Sequence, residues 1–110
     1  MLKLDRHYQT ITARLDGEID HHHVRFLRAA IDRILDDSQA KVLIFDLSQV
    51  DFMDSSGIGL IIGRYKRMRS QGGQVYLSGN HSRIDRILEL SGLPLLIRHI
   101  DSADERSVRG

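Results

Sequence analysis

Residues 42–47, VLIFDL, are apolar almost without alternation, and this constrains the fold more than any other stretch of the chain. A strand with one wet face alternates apolar and polar residues. A run that is apolar on both sides belongs in a sheet covered on both faces. Downstream the periodicity changes to that of a helix, with Ile58, Ile61, Ile62, Tyr65 and Met68 on one face. Arg64, Lys66, Arg67 and Arg69 fall on the outer side, with positive charge towards the helix C-terminus. Gly72 and Gly73 stop the helix, and QVYLSG from residue 74 reads as a second strand. This strand–helix–strand unit predicts parallel strands with a right-handed crossover.

The flanks extend the same architecture. Leu2 and Leu4 open a short alternation, and YQTITARL alternates through Ile11, Ala13 and Leu15, so two adjacent strands are expected, joined near Asp5 to His7. Val24, Leu27, Ile31, Ile34 and Leu35 share one helical face, and Asp20 is the expected cap of that helix. A third helix, SRIDRILELSG, turns Ile84, Ile87 and Leu88 inward and stops at Gly92, reinforced by Pro94. LLIRHI reads as a last short strand, and DSADERSVRG as a polar tail, frayed or briefly helical. The order β-β-α-β-α-β-α-β predicts one α/β domain spanning residues 1–110, with a mixed, mainly parallel sheet of four to five strands flanked by helices. A chain of 110 residues suits one such core.

Composition narrows the classes of function. Sixteen basic and 15 acidic residues leave a formal charge of +1, which provides no field for nucleic acid or an anionic membrane. Three Phe, three Tyr and no Trp make a poor platform for stacked bases. The absence of cysteine removes thiolate metal and redox sites and suits a reducing cytoplasm. No secretory h-region opens the chain, and no apolar run approaches the roughly 20 residues of a spanning helix, so a soluble, cytoplasmic protein is expected.

At the seam between the apolar strand and its helix stands DSSG, residues 54–57. Asp54 or Ser55 there suits a helix cap, and local chemistry alone favours that role. The carboxyl edge of an open α/β sheet is also where ligands and reactive groups collect. A hydrolase elbow needs glycine two positions before and after the serine; Gly57 fits, but Met53 stands in the first position. In DHHH, residues 20–23, successive helical residues point about 100° apart, so the three imidazoles do not converge on one ion. No HExxH, Walker or dinucleotide-binding spacing occurs, and neither metal nor cofactor is expected. Gly57, Gly59 and Gly63 are better read as small residues that let another surface come close, either the sheet or a partner.

FMDSSGIGLIIGRYKRM, together with GEIDHH at 17–22, GG at 72–73 and LSGL at 90–93, resembles the anti-sigma factor antagonists of the STAS domain family, in their sporulation branch. Order and spacing match over nearly the whole chain. The resemblance implies a protein switch rather than an enzyme. Its unphosphorylated form binds an anti-sigma factor that is also a serine kinase, and this releases the sigma factor. The kinase marks the first serine of the motif, here Ser55, and a metal-dependent serine phosphatase reverses the mark. Ser56 matches the following Ser or Thr position. Asp20, His21, Asp54, Ser56, Gly57, Ile58 and Gly59 are the expected docking residues. Two other readings remain open at this point: an antagonist in a general stress cascade, and a small nucleotide-binding or hydrolytic protein using the same junction. The short polar tail departs from the longer C-terminal helix common in the family, and Pro94 after SGL departs locally.

Overall fold

A computed structural model of the protein describes residues 1–101. Its five-stranded sheet follows chain order: β1 (Leu2–His7), β2 (Thr10–Ile19), β3 (Val42–Met53), β4 (Gln74–Ser78) and β5 (Arg98–Ile100). β1 runs antiparallel to β2, and every other neighbouring pair is parallel. Three helices join the parallel strands: α1 (Val24–Ser38), α2 (Ser55–Ser70) and α3 (Ser82–Ser91). The mixed, mainly parallel α/β architecture read from the sequence is the one observed.

β3 lies at the centre, which explains its lack of alternation: Leu43, Ile44, Phe45 and Leu47 are fully buried. Leu27, Ile31 and Leu35 of α1, Ile58, Leu60, Ile61 and Met68 of α2, and Ile84 and Leu88 of α3 complete the core. Val24, Ile34, Ile62, Tyr65 and Ile87, expected on the inner faces, are only partly buried at its margins.

β3 is longer than its apolar run. Its pairing with β4 ends at Asp46–Ser78, whereas its pairing with β2 continues to Ile19–Met53. Register shifts near Asp16 and Gly17 accommodate this extension, and Gly17 takes φ +77°, which a residue with a Cβ adopts at a cost. Beyond the body of the sheet, β2 and β3 therefore form a two-stranded ribbon. α3 braces it where β4 is missing. His81 Nδ1 accepts from the Arg83 N–H, so the ring proton sits on Nε2 and is donated to the Val50 carbonyl at 2.8 Å. Arg83 also pairs with Asp51 at 3.1 Å.

Several local expectations change. The hairpin turns at Tyr8 and Gln9 rather than at residues 5–7, with Tyr8 in the left-handed region at φ 56°. The apolar LLIRHI contains only a three-residue strand: Pro94 sits in a 3-10 turn at Leu93–Leu95, and Leu95 and Leu96 are left exposed. The N–H groups of Leu95, Leu96 and Ile97 donate to the Gly92 and Leu93 carbonyls of this turn, which takes them from a strand ladder. Asp20 does not cap α1, whose N-cap is His23. The basic side of α2 is not a free solvated face either. Arg64 and Arg67 pair with Asp32, and Arg67 also with Asp36, clamping α2 to α1. Replacing Asp32 with Ala should cost about 1.5 kcal/mol in urea unfolding, because it leaves the half-buried Arg64 guanidinium without its carboxylate. The expected polar tail lies beyond the described residues from position 102 onward.

Candidate functional site

The site is built where the β2–β3 ribbon ends and α2 begins. Met53, the last residue of β3, is buried, and the next backbone N–H, that of Asp54, donates to the Ile19 carbonyl at 3.1 Å. This bond ties the start of the helix to the end of the neighbouring strand. Asp54 itself is extended, at φ −95° and ψ −172°, so its side chain folds back over the first turn. One carboxylate oxygen accepts from the N–H groups of Ser56 at 2.8 Å and Gly57 at 3.4 Å. Asp54 is therefore the cap, and the Ser55 hydroxyl is not used for capping. Ser55 is the first helical residue and is exposed. The choice left open between a capping and a presented side chain falls as one of each. Asp54→Ala should destabilise the domain by about 1 kcal/mol, while Asp54→Asn should restore most of that loss in thermal unfolding.

The surrounding residues divide by direction. Gly57 faces inward, where a Cβ would overlap Met53 Cγ and lie 3.0 Å from Ile19 Cγ2. Ile58 is buried beside it and anchors the first turn of α2 in the core. Gly59 is exposed, and the space beside both Gly59 and Gly63 is open. With Val24, Arg28, Ser56, Leu60 and Arg64, these two glycines line a groove of about 330 Å³ between α1 and α2. Ser56 belongs to that groove. The glycine question thus has a split answer: Gly57 admits the sheet, whereas Gly59 and Gly63 leave room outside.

The strand register Ile19–Met53 places Asp20 and Asp54 at adjoining strand ends. Asp20 organises the histidine run. Its carboxylate accepts from the His22 N–H at 3.0 Å and lies 2.9 Å from His23 Nδ1, while its carbonyl accepts from the N–H groups of His23 and Val24. Burial acts to raise the Asp20 carboxyl, but the His22 N–H and the charges of His23, His22 and His21 outweigh it and lower its pKa. His21 is exposed and stacks on His22, ring centres 3.9 Å apart. Of the expected docking residues, Gly57 and Ile58 are spent on packing, while Asp20, His21, Asp54, Ser56 and Gly59 remain at the surface or partly so.

Arg28 and Arg64 were not singled out as site residues, although both line the groove beside Ser56. Burial lowers the Arg64 pKa, Asp32 opposes that, and Arg28 and Arg67 reinforce it. The sequence signal for the groove was Gly59 and Gly63, one helical turn apart, on the face away from the core.

The chain can be compared with known proteins at this point. The family described as STAS domain matches residues 2–105. The anti-sigma F factor antagonist of Paenibacillus polymyxa is 34% identical over 92 residues, covering 84% of this chain and 79% of that protein. The anti-sigma-B factor antagonist of Listeria monocytogenes is 32% identical over 81 residues, 74% of this chain and 70% of the relative. Among solved structures, the anti-sigma factor antagonist SpoIIAA in its unphosphorylated form superposes with a TM-score of 0.83 at 28% identity, covering 98% of this chain and 93% of that one. The phosphorylated form of Bacillus SpoIIAA gives 0.75, covering 98% and 96%. The chain belongs to the STAS domain family and, within it, groups with the anti-sigma factor antagonists.

Proposed function

We propose that this protein is a cytoplasmic partner switch: unphosphorylated, it binds an anti-sigma factor that is also a serine kinase and thereby frees a sigma factor, and phosphorylation at Ser55 ends that binding. One observation carries the reading. The first residue of α2 offers an exposed hydroxyl, while its neighbour Asp54 meets the helix's need for a cap. A kinase can reach that oxygen without unfolding anything. The positive end of the α2 dipole would offset part of the added −1.5 to −2 charge, although the Asp54 carboxylate already takes the Ser56 and Gly57 N–H groups there. The fold would then persist while the docking rim of Asp20, His21, Asp54, Ser56 and Gly59, held in place by the buried Gly57 and Ile58, changes its electrostatics. A metal-dependent serine phosphatase would restore the neutral hydroxyl. Competition of the unphosphorylated protein with the sigma factor for its anti-sigma factor tests this reading. Displacement of the sigma factor is expected, and an intact anti-sigma–sigma complex at saturating protein contradicts it.

Relatives from both an F-type and a B-type system match, so control of sporulation and control of a general stress response are both consistent with the site. GEIDHH and GRYK favour sporulation. Binding to the anti-sigma kinases of the two cascades, measured side by side, separates them.

A further inference from the structure

Among the described residues, β1 is the outer strand of the sheet and is paired on one side only. Which of its backbone groups face outward follows from the ladder. Asp16 N–H donates to the Met1 carbonyl at 2.8 Å, so Met1–Asp16 is a hydrogen-bonded pair, one step beyond the Leu2–Leu15 register. Such pairs alternate along an antiparallel ladder. Lys3–Arg14, Asp5–Thr12 and His7–Thr10 are therefore the other bonded pairs, as a two-residue turn at Tyr8 and Gln9 also requires. Leu2, Leu4 and Arg6 thus direct their backbone N–H and C=O groups away from the sheet.

We infer that β1 pairs antiparallel with β1 of a second copy of this chain, about a two-fold axis through Leu4. In that register Leu4 meets Leu4, Leu2 meets Arg6, and Lys3 meets Asp5. All three outward residues then exchange bonds, giving two across Leu4 and two at each Leu2–Arg6 pair. Lys3 and Asp5 meet at the non-hydrogen-bonded positions, where side chains come closest and opposite charges reinforce pairing. Both side chains are exposed. Registers centred on Lys3 or on Asp5 also keep the outward groups face to face but oppose Lys3 to Lys3 or Asp5 to Asp5 where side chains come closest, and one centred on Arg6 opposes arginines. Hydrogen bonding allows each of these axes, and charge selects the one through Leu4.

Apolar surface continues from that axis. Leu4 lines a groove of about 490 Å³ with Phe26, Ala29, Ala30 and Ile34 of α1, and Phe26 is 61% exposed. An axis through Leu4 brings the grooves of the two copies edge to edge and removes both Phe26 rings from water. Among the described residues the opposite edge of the sheet, β5, has three residues and offers a shorter ladder.

Sedimentation equilibrium of the whole unphosphorylated chain, from about 10 µM to about 1 mM, brackets the range of a small, reversible interface. A monomer–dimer equilibrium is expected. Lys3→Asp and Asp5→Lys should each weaken it about tenfold or more, and the double exchange should restore it. Circular dichroism establishes that these surface variants remain folded. Hydrogen exchange adds a register-specific readout: the Leu4 and Arg6 amides should slow as concentration rises, while those of Lys3 and Asp5 are protected throughout. A monomer at every concentration, a dimer indifferent to the single reversals, failure of the double exchange to rescue, or unprotected Leu4 and Arg6 amides in the dimer would each overturn the inference.

Discussion

Phosphate on Ser55 should weaken binding to the anti-sigma factor about a hundredfold, the equivalent of about 3 kcal/mol, with the domain still folded. Added charge and added bulk both contribute. The hydroxyl projects beside Asp54, whose carboxylate caps the same helix, so a partner surface complementary to a neutral serine meets a dianion next to an existing negative charge. Within the domain the same group faces the positive end of α2, which limits the internal penalty. Titration calorimetry with phosphorylated and unphosphorylated protein measures the difference directly. Ser55→Ala should bind like the unphosphorylated protein and accept no phosphate. Ser55→Asp carries only one charge and less bulk, so its loss should fall between the two. Equal affinities for the phosphorylated and unphosphorylated forms would remove the switch.

Gly57→Ala should destabilise the domain by about 2 kcal/mol and weaken partner binding beyond what the lost stability explains. The added methyl occupies space held by Met53 Cγ and presses on Ile19 Cγ2, both at the fully packed end of the ribbon. Overpacking of this kind typically costs about 1–3 kcal/mol. Met53 can yield only into the core, so the first turn of α2 must move outward, carrying Ser55 with it. Chemical denaturation gives the stability change, and the kinase's KM for the variant reports displacement of the serine. Gly59→Ala is the matching control. Its Cβ meets no atom within 4 Å inside a helix, so stability should rise by about 0.5–1 kcal/mol. If Gly57→Ala proved as stable as the original chain, the packing account of this rim would be wrong.

The helices and their inner faces were legible because each has a local period that burial respects: Leu27, Ile31, Ile61, Ile84 and Leu88 are all in the core. β3 was legible in its apolar half and not in its second half. The polar alternation of SQVDF resembles a loop until β2, shifted in register at Gly17, is known to accompany it to Met53. The pairing of Arg64 and Arg67 with Asp32 and Asp36 bridges more than thirty positions and leaves no local trace, so these arginines looked like solvated surface. Leu95 and Leu96 misled in the opposite direction, since hydrophobicity suggested a strand where the backbone N–H groups are taken by the 3-10 turn at Leu93–Leu95.

The site was legible in its residue types but not in their division of labour. Asp, Ser and Ser are all good caps, and only the extended backbone at position 54 decides that Asp54 reaches the Ser56 and Gly57 N–H groups. Asp20 was read as the cap of α1, a place that His23 holds. The Asp20 carboxylate folds the DHHH segment into a turn that leads directly into α1 instead of capping the helix.

Incubation of the protein with its anti-sigma kinase and ATP, followed by peptide mapping of the phosphorylated residue, tests the central claim most directly. A single phosphate on Ser55, absent from the Ser55→Ala variant, is the expected result. Phosphate on Ser56, whose side chain lines the groove between α1 and α2, or on neither serine, would contradict it.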